Sequence, residues 1–312
     1  MKKFLIKLAL FAFPAVVLLA VLTRIAYVTE LSILESDLTL PTNVVAAVVG
    51  DSRVAEYFDP AEIPWLRNYG LRGSPFQITA EKARMIVELN PNLELLVIDI
   101  WPSKFLETNH PFGSSAPYGV SLLELKKRKD MPPLGDDFPM RLGIELLRPG
   151  LRHALKREGA SSQIAGDFWE YKHYLADDIA KGMQWPPSAT PMELQKTPTA
   201  GEIVLEHLLD ELTGKGVNIV LTTTPLLWYE KRWTPDAREY FERRMGEISR
   251  KYNVPWFNWM HEYQDNIDYW ADGIHLNADG AKVFSRDKGP VLKQCMTRGV
   301  LETLPARRQS AI

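Results

Sequence analysis

A three-layer α/β fold built on a doubly wound parallel sheet is what this sequence predicts, and three observations predict it. Short continuous runs of β-branched and aliphatic residues, bounded by turn residues, read as strands buried on both faces. Amphipathic helical stretches alternate with them in strand–helix–strand order. Both patterns run from about residue 43 to about residue 300, apart from an irregular stretch in the middle.

The chain opens on Lys2, Lys3 and Lys7, followed by an apolar run from Leu8 to Leu22 that Thr23 and Arg24 interrupt and Ile25 to Val28 resume. The uninterrupted run is about 15 residues, short of the roughly 20 an untilted span needs. Counted from Phe4 to Val28 the segment is long enough, with Lys and Arg side chains reaching for headgroups at each end. No small-x-small cleavage site follows the apolar core. The expectation is an uncleaved transmembrane anchor over residues 1–30, with a cleaved signal or a buried helix as alternatives. Lysines ahead of the span place the domain on the extracytoplasmic, or periplasmic, side of the inner membrane. Residues 31–42 are a polar connector ending in Pro41-Thr42.

Asn43 to Val49 is the first strand, closed by Gly50-Asp51-Ser52, and Arg67 to Leu71 is the second. Ser74 and Pro75 read as the cap and first position of a helix reaching about Leu89. Leu93 to Ile100 is a third buried strand. From Pro102 to Thr199 prolines are frequent and the pattern degrades, with only Ser121–Lys129 and Phe168–Met183 helical; this is a large insertion or lid. Alternation returns with a helix at Gly201–Leu212, a strand at Val217–Thr222, a helix at Asp236–Tyr252 and a strand at Val254–Phe257. A last helix, Asn277–Met296, is interrupted near Gly289-Pro290, and a loose tail covers 301–312.

Composition bounds the function. Of 312 residues 46% are hydrophobic and 24% charged, as in ordinary globular proteins. A formal net charge of −2 offers no basic field to nucleic acid. Cys295 is the single cysteine, so neither an internal disulfide nor a Cys-rich metal site is available. No cofactor and no metal is implied.

Two motifs carry chemistry. In parallel α/β sheets reactive groups gather at the carboxyl ends of strands, where Ser52 stands. The bland reading of Ser52 is a cap for a helix starting near Val54. The two readings are compatible, because a helix start also aims backbone N–H groups at a developing oxyanion. The second motif is Asp272-Gly273-Ile274-His275. A serine hydroxyl needs a base, and the base needs an acid that fixes its tautomer; Asp272 and His275 meet that need within one loop. The bland reading is a turn capping the helix at Asn277.

Together, Gly50-Asp51-Ser52 near one end of the domain and Asp272-x-x-His275 near the other resemble the SGNH, or GDSL, hydrolase superfamily. The resemblance spans about Asn43 to Thr297, with only these two motifs specific. It implies a flavodoxin-like sheet, Ser52 as nucleophile, His275 and Asp272 completing the triad, and an oxyanion hole from the amide of Ser52 with Gly70 or Gly73. The family's Gly-x-Asn-Asp after the third strand is absent, since that strand ends Asp99-Ile100-Trp101-Pro102-Ser103. Loss of such a donor costs ~100-fold or more; Ser103, Arg53 or Asn109 stand as substitutes. With the anchor, the layout is similar to membrane-tethered SGNH-like acyl-transfer proteins, the D-alanyl transfer and alginate acetylation type. These imply a membrane-bound O-acyltransferase partner and a glycan or envelope-polymer substrate.

Other residues have two readings each. Arg53 and Arg72 either position a polar substrate or pair locally. His110 lines the cleft or lies in a surface loop. His261 and Glu262, near Asp265 and Asp268, match no standard metal spacing. Trp256, Trp259 and Trp270 form a sugar-stacking wall or part of the core.

Overall fold

A computed structural model describes residues 34–105, 198–227 and 233–296, with isolated positions at 13, 14, 17, 18, 21 and 32. The chain divides into two compact units, Met1–Leu38 with Ala116–Ala165 and Thr39–Ser115 with Gly166–Ile312. The sheet and the candidate site belong to the second. The expected anchor, the helices at 121–129 and 168–183, Asn109, His110 and the tail lie outside the described residues. Among the described residues no helix is long and apolar enough to cross a membrane.

Five parallel strands form one sheet flanked by helices, in the order β2-β1-β3-β4-β5. They are β1 (Ala46–Gly50), β2 (Leu66–Gly70), β3 (Leu95–Asp99), β4 (Asn218–Thr223) and β5 (Trp256–Asn258). The helices are α1 (Ser52–Tyr57), α2 (Phe76–Leu89), α3 (Pro102–Phe105), α4 (Ala200–Leu212), α5 (Pro235–Tyr252) and α6 (Ala278–Gln294). β1 and β3 are buried throughout, which is why their sequences are unbroken apolar runs rather than alternating ones. The order reverses between β1 and β3, and a reversal opens a crevice beyond the carboxyl ends of the two strands. Ser52 stands two residues beyond β1, and Trp101 to Phe105 lie beyond β3.

Phe284 of α6 joins the two ends of the chain that build the site. Tyr57, Phe58 and Trp259 meet its ring edge-on at centroid distances of 5.6, 5.2 and 5.5 Å. Such pairs contribute about 0.5–1.5 kcal/mol each beyond their burial.

Local chemistry moves several boundaries. Pro255 has no N–H to give, so β5 begins at Trp256, while the Pro255 carbonyl accepts from Leu221 N. Pro75 caps α2 in extended conformation, and the Ser74 hydroxyl turns to the Pro75 carbonyl instead of the helix. The expected break at Gly289-Pro290 does not occur: α6 runs through, with Pro290 inside it.

Candidate active site

The turn after β1 is shaped by small size and charge. A side chain at Gly50 would come within 2.2 Å of Val54 Cγ2, so glycine lets α1 start against the strand. Asp51, not Ser52, is the N-cap; its Oδ1 accepts the Arg53 amide at 3.1 Å. Ser52 is thereby the first helical residue, and its amide, like every first-turn amide, has no intrahelical acceptor.

The second half is a closed loop. Trp270 and Leu276 form an antiparallel bridge, and the Ala271 amide donates to the His275 carbonyl at 2.9 Å. Asp272 Oδ1 accepts the Ile274 and His275 amides at 2.8 and 2.9 Å. Asn277 caps α6 through Asp279 N and Gly280 N and donates back to the Asp268 carbonyl. Asp272 is therefore free of capping duty, and its other oxygen faces the imidazole.

The loop and the turn meet. Ser52 Oγ lies 2.9 Å from His275 Nε2, and His275 Nδ1 lies 2.8 Å from Asp272 Oδ2. An ionised carboxylate only accepts, so Nδ1 carries the proton and Nε2 presents its lone pair to the serine hydroxyl. Burial pushes the Asp272 carboxyl up, but the His275 hydrogen bond and charge and the two amides outweigh it, holding it below the usual range. It stays ionised at neutral pH, as an orienting acid must.

A buried ion network fixes the turn from behind. Arg53 bonds Asp51 through Nε and Nη2, both at 3.3 Å, and its Nη2 lies 3.5 Å from Asp99 Oδ2. Its guanidinium stacks 3.8 Å from the Trp101 ring centroid. Asp99 also accepts from Thr222 Oγ1, Thr224 N and Thr224 Oγ1. Burial raises Asp99 to about 6 despite Arg53. Burial also pushes Asp51 up, but Arg53 and Lys104 and the bonds from Arg53 bring it below its ordinary value.

The remaining expected residues separate clearly. Gly70 does not present its amide to an oxyanion, because Asn68 Oδ1 accepts it at 2.8 Å. Its lack of a side chain serves packing: a Cβ there would sit 2.1 Å from Ala55 N. Gly73 is an exposed turn glycine with φ +70. Arg53 is 1% exposed and committed to the two aspartates, so it does not line the cleft, although its Nη1 has no hydrogen-bond partner among the described residues. Arg72 is half-exposed and paired with Glu56. Ser103 is half-buried on α3, at the β3 side of the crevice. Trp259 and Trp270 are core residues, which removes them from any sugar-stacking wall.

Three contributors escaped the sequence reading. Glu56, 1% exposed, sits with Oε2 3.7 Å from His275 Nε2; the signal was its place four residues after Ser52, on the same helix face. The Tyr57 hydroxyl lies 2.8 Å from the Ile274 carbonyl and 3.0 Å from that of Pro225, tying α1 to the triad loop. Asn68 donates to the Val54 and Phe58 carbonyls and holds α1 on β2. No sequence signal marks either of these two. No protein-family model and no curated protein matches this chain.

Proposed function

We propose that this chain is a serine acyl-transfer enzyme of the SGNH hydrolase type, an O-acyltransferase or esterase acting on a cell-surface polysaccharide or related envelope polymer. The observation that carries it is the continuous relay Ser52 Oγ–His275 Nε2 and His275 Nδ1–Asp272 Oδ2, at 2.9 and 2.8 Å. Ser52 attacks the acyl carbonyl and passes its proton to Nε2; the imidazolium returns it to the leaving alcohol, which leaves an acyl-enzyme. Water or a sugar hydroxyl then takes the acyl group by the same steps in reverse. The Ser52 amide, at the start of α1, is the donor for the oxyanion. An anchor over residues 1–30 sets this chemistry on the outer side of the inner membrane, beside a membrane-bound O-acyltransferase that supplies the acyl group.

The test is intact-mass analysis of the full chain after treatment with a fluorophosphonate serine probe. One adduct on the parent and none on Ser52→Ala or His275→Ala is expected. A folded parent that takes no adduct sinks the free-standing enzyme. A second reading, a binding or assembly subunit of that acyltransferase with little turnover of its own, draws on one observation: among the described residues no asparagine follows β3 before Phe105, and the Gly70 amide is already engaged. An assembly subunit keeps its cellular function as Ser52→Ala, and an enzyme loses it. A lipid-directed esterase is distinguished by rates that depend on acyl length.

A further inference from the structure

Glu56 stands where the relay above needs no residue. It lies one helical turn after Ser52, so both side chains leave α1 on the same face and both reach His275 Nε2. Neither Glu56 oxygen has a hydrogen-bond partner among the described residues. Its neighbours are ionic: Arg72 Nε at 3.0 Å from Oε1 and His275 Nε2 at 3.7 Å from Oε2. Buried carboxylates with a purely architectural task are ordinarily saturated with hydrogen bonds, as Asp99 is here with three. A buried carboxylate left without them, against a catalytic base, suits a role in which its charge matters more than its bonds.

We propose that Glu56 is a positioning residue: clamped by Arg72, its carboxylate steadies the imidazolium that His275 becomes when Ser52 attacks. This rests on reading Ser52, His275 and Asp272 as the reacting set. In the attacking step the Ser52 oxygen bonds to the acyl carbon, the carbonyl pair moves to its oxygen, and the serine proton goes to Nε2. Positive charge then appears between two carboxylates, Asp272 on the Nδ1 side and Glu56 on the Nε2 side. Glu56 takes no proton in the step and acts through His275 alone.

The charged groups facing Glu56 are His275 and Asp272 from the triad loop, Arg72 from the turn after β2, and Asp51 from the turn before α1. Burial raises its carboxyl, His275 and Arg72 lower it, Asp272 and Asp51 raise it, and the balance is about 7. Glu56 therefore changes charge in the range where a histidine base works. Arg72 is exposed enough to be replaced without opening the core; its side chain is 45% accessible.

The rate of fluorophosphonate labelling of the full chain, followed from about pH 5 to about pH 9, reads the base in the free enzyme. Glu56→Gln should lower the high-pH rate by roughly 10- to 100-fold and move the rising limb to lower pH. Glu56→Asp should restore part of both. Arg72→Gln should displace the limb to higher pH, because Glu56 then holds its proton longer. Rates in Glu56→Gln and Arg72→Gln that follow the parent's pH profile would overturn the proposal. A second readout does not need the reaction: the infrared band of the protonated Glu56 carboxyl, recognised by its loss in Glu56→Gln. In His275→Gln this band should persist to higher pH than in the parent, and a band indifferent to His275 refutes the coupling. A parent that takes no label, with the band still responding to His275, overturns the nucleophile and leaves the Glu56–His275 pair standing.

Discussion

Asp272 has two tasks that substitution separates. One oxygen binds the loop amides and the other orients the imidazole. Asp272→Asn keeps the shape but presents an NH2 group or a neutral oxygen to Nδ1, so the tautomer is no longer dictated. Labelling of Ser52 should fall about 10³- to 10⁴-fold with little change in thermal midpoint. Asp272→Ala should lose both rate and loop stability; equal rates in Asp272→Asn and the parent would exclude an orienting role. Gly70 tests a different claim. An added methyl collides with the backbone of Ala55 and Val54, so Gly70→Ala should destabilise by about 2–3 kcal/mol in urea unfolding, the cost of overpacking. The Ser52–His275–Asp272 arrangement was legible in the sequence because Ser52 and the Asp272–His275 pair each sit in a short motif whose residues are neighbours in the chain. Gly70 was misread because its amide's partner depends on a tertiary anchor: Asn68, held by its Nδ2 on the Val54 and Phe58 carbonyls, turns its Oδ1 to the Gly70 amide.

α1 is only six residues long and holds its position through others. Tyr57 at its end ties it to the triad loop, Asn68 to β2, and Phe284 packs on it from α6. Tyr57→Phe keeps the packing and removes the hydroxyl that steadies the Ile274 carbonyl, next to His275. The expected outcome is a loss of about 1 kcal/mol in stability, accompanied by slower labelling of Ser52; unchanged labelling would show that packing alone sets the loop. α6 carries a defect of its own. Pro290 is exposed in the helix interior, where it removes one backbone bond and crowds the carbonyl four residues back. Pro290→Ala should stabilise the chain by about 1–3 kcal/mol, read as a raised thermal midpoint. The sequence pointed to a break there because proline is a strong local signal. The helix continues because its apolar face, with Phe284 and Leu292, stays buried on both sides of the proline. The positions of β1 and β3 were legible for the opposite reason: a doubly buried strand states its environment in every residue.

Buried carboxyls give the domain a stability profile with two slopes below neutrality. Asp51 and Asp272 hold carboxyls below their ordinary values, so the stability they add is present above the unfolded-state pKa and is lost as pH falls below it. Asp99 and Glu56 are raised, to about 6 and about 7. Their native forms favour the proton, so the stability they add is complete below the unfolded-state value and disappears as pH rises through those figures. For Glu56 the difference is worth at most on the order of 3 kcal/mol. Burial lowers the Lys82 ammonium to about 7, so its contribution rises with pH above neutrality and opposes this fall there. The thermal midpoint should therefore peak on the acid side and decline between about pH 5 and about pH 7. Glu56→Gln, neutral throughout, should match the parent at the acid end and exceed it at the alkaline end, flattening the decline. A midpoint that climbs steadily across the same range, or a decline that Glu56→Gln leaves untouched, would contradict this assignment. The direction ties stability to chemistry: the ionised Glu56 that our reading requires beside His275 is the form that costs the fold most, so the pH at which Ser52 reacts fastest should lie above the pH at which the domain is most stable.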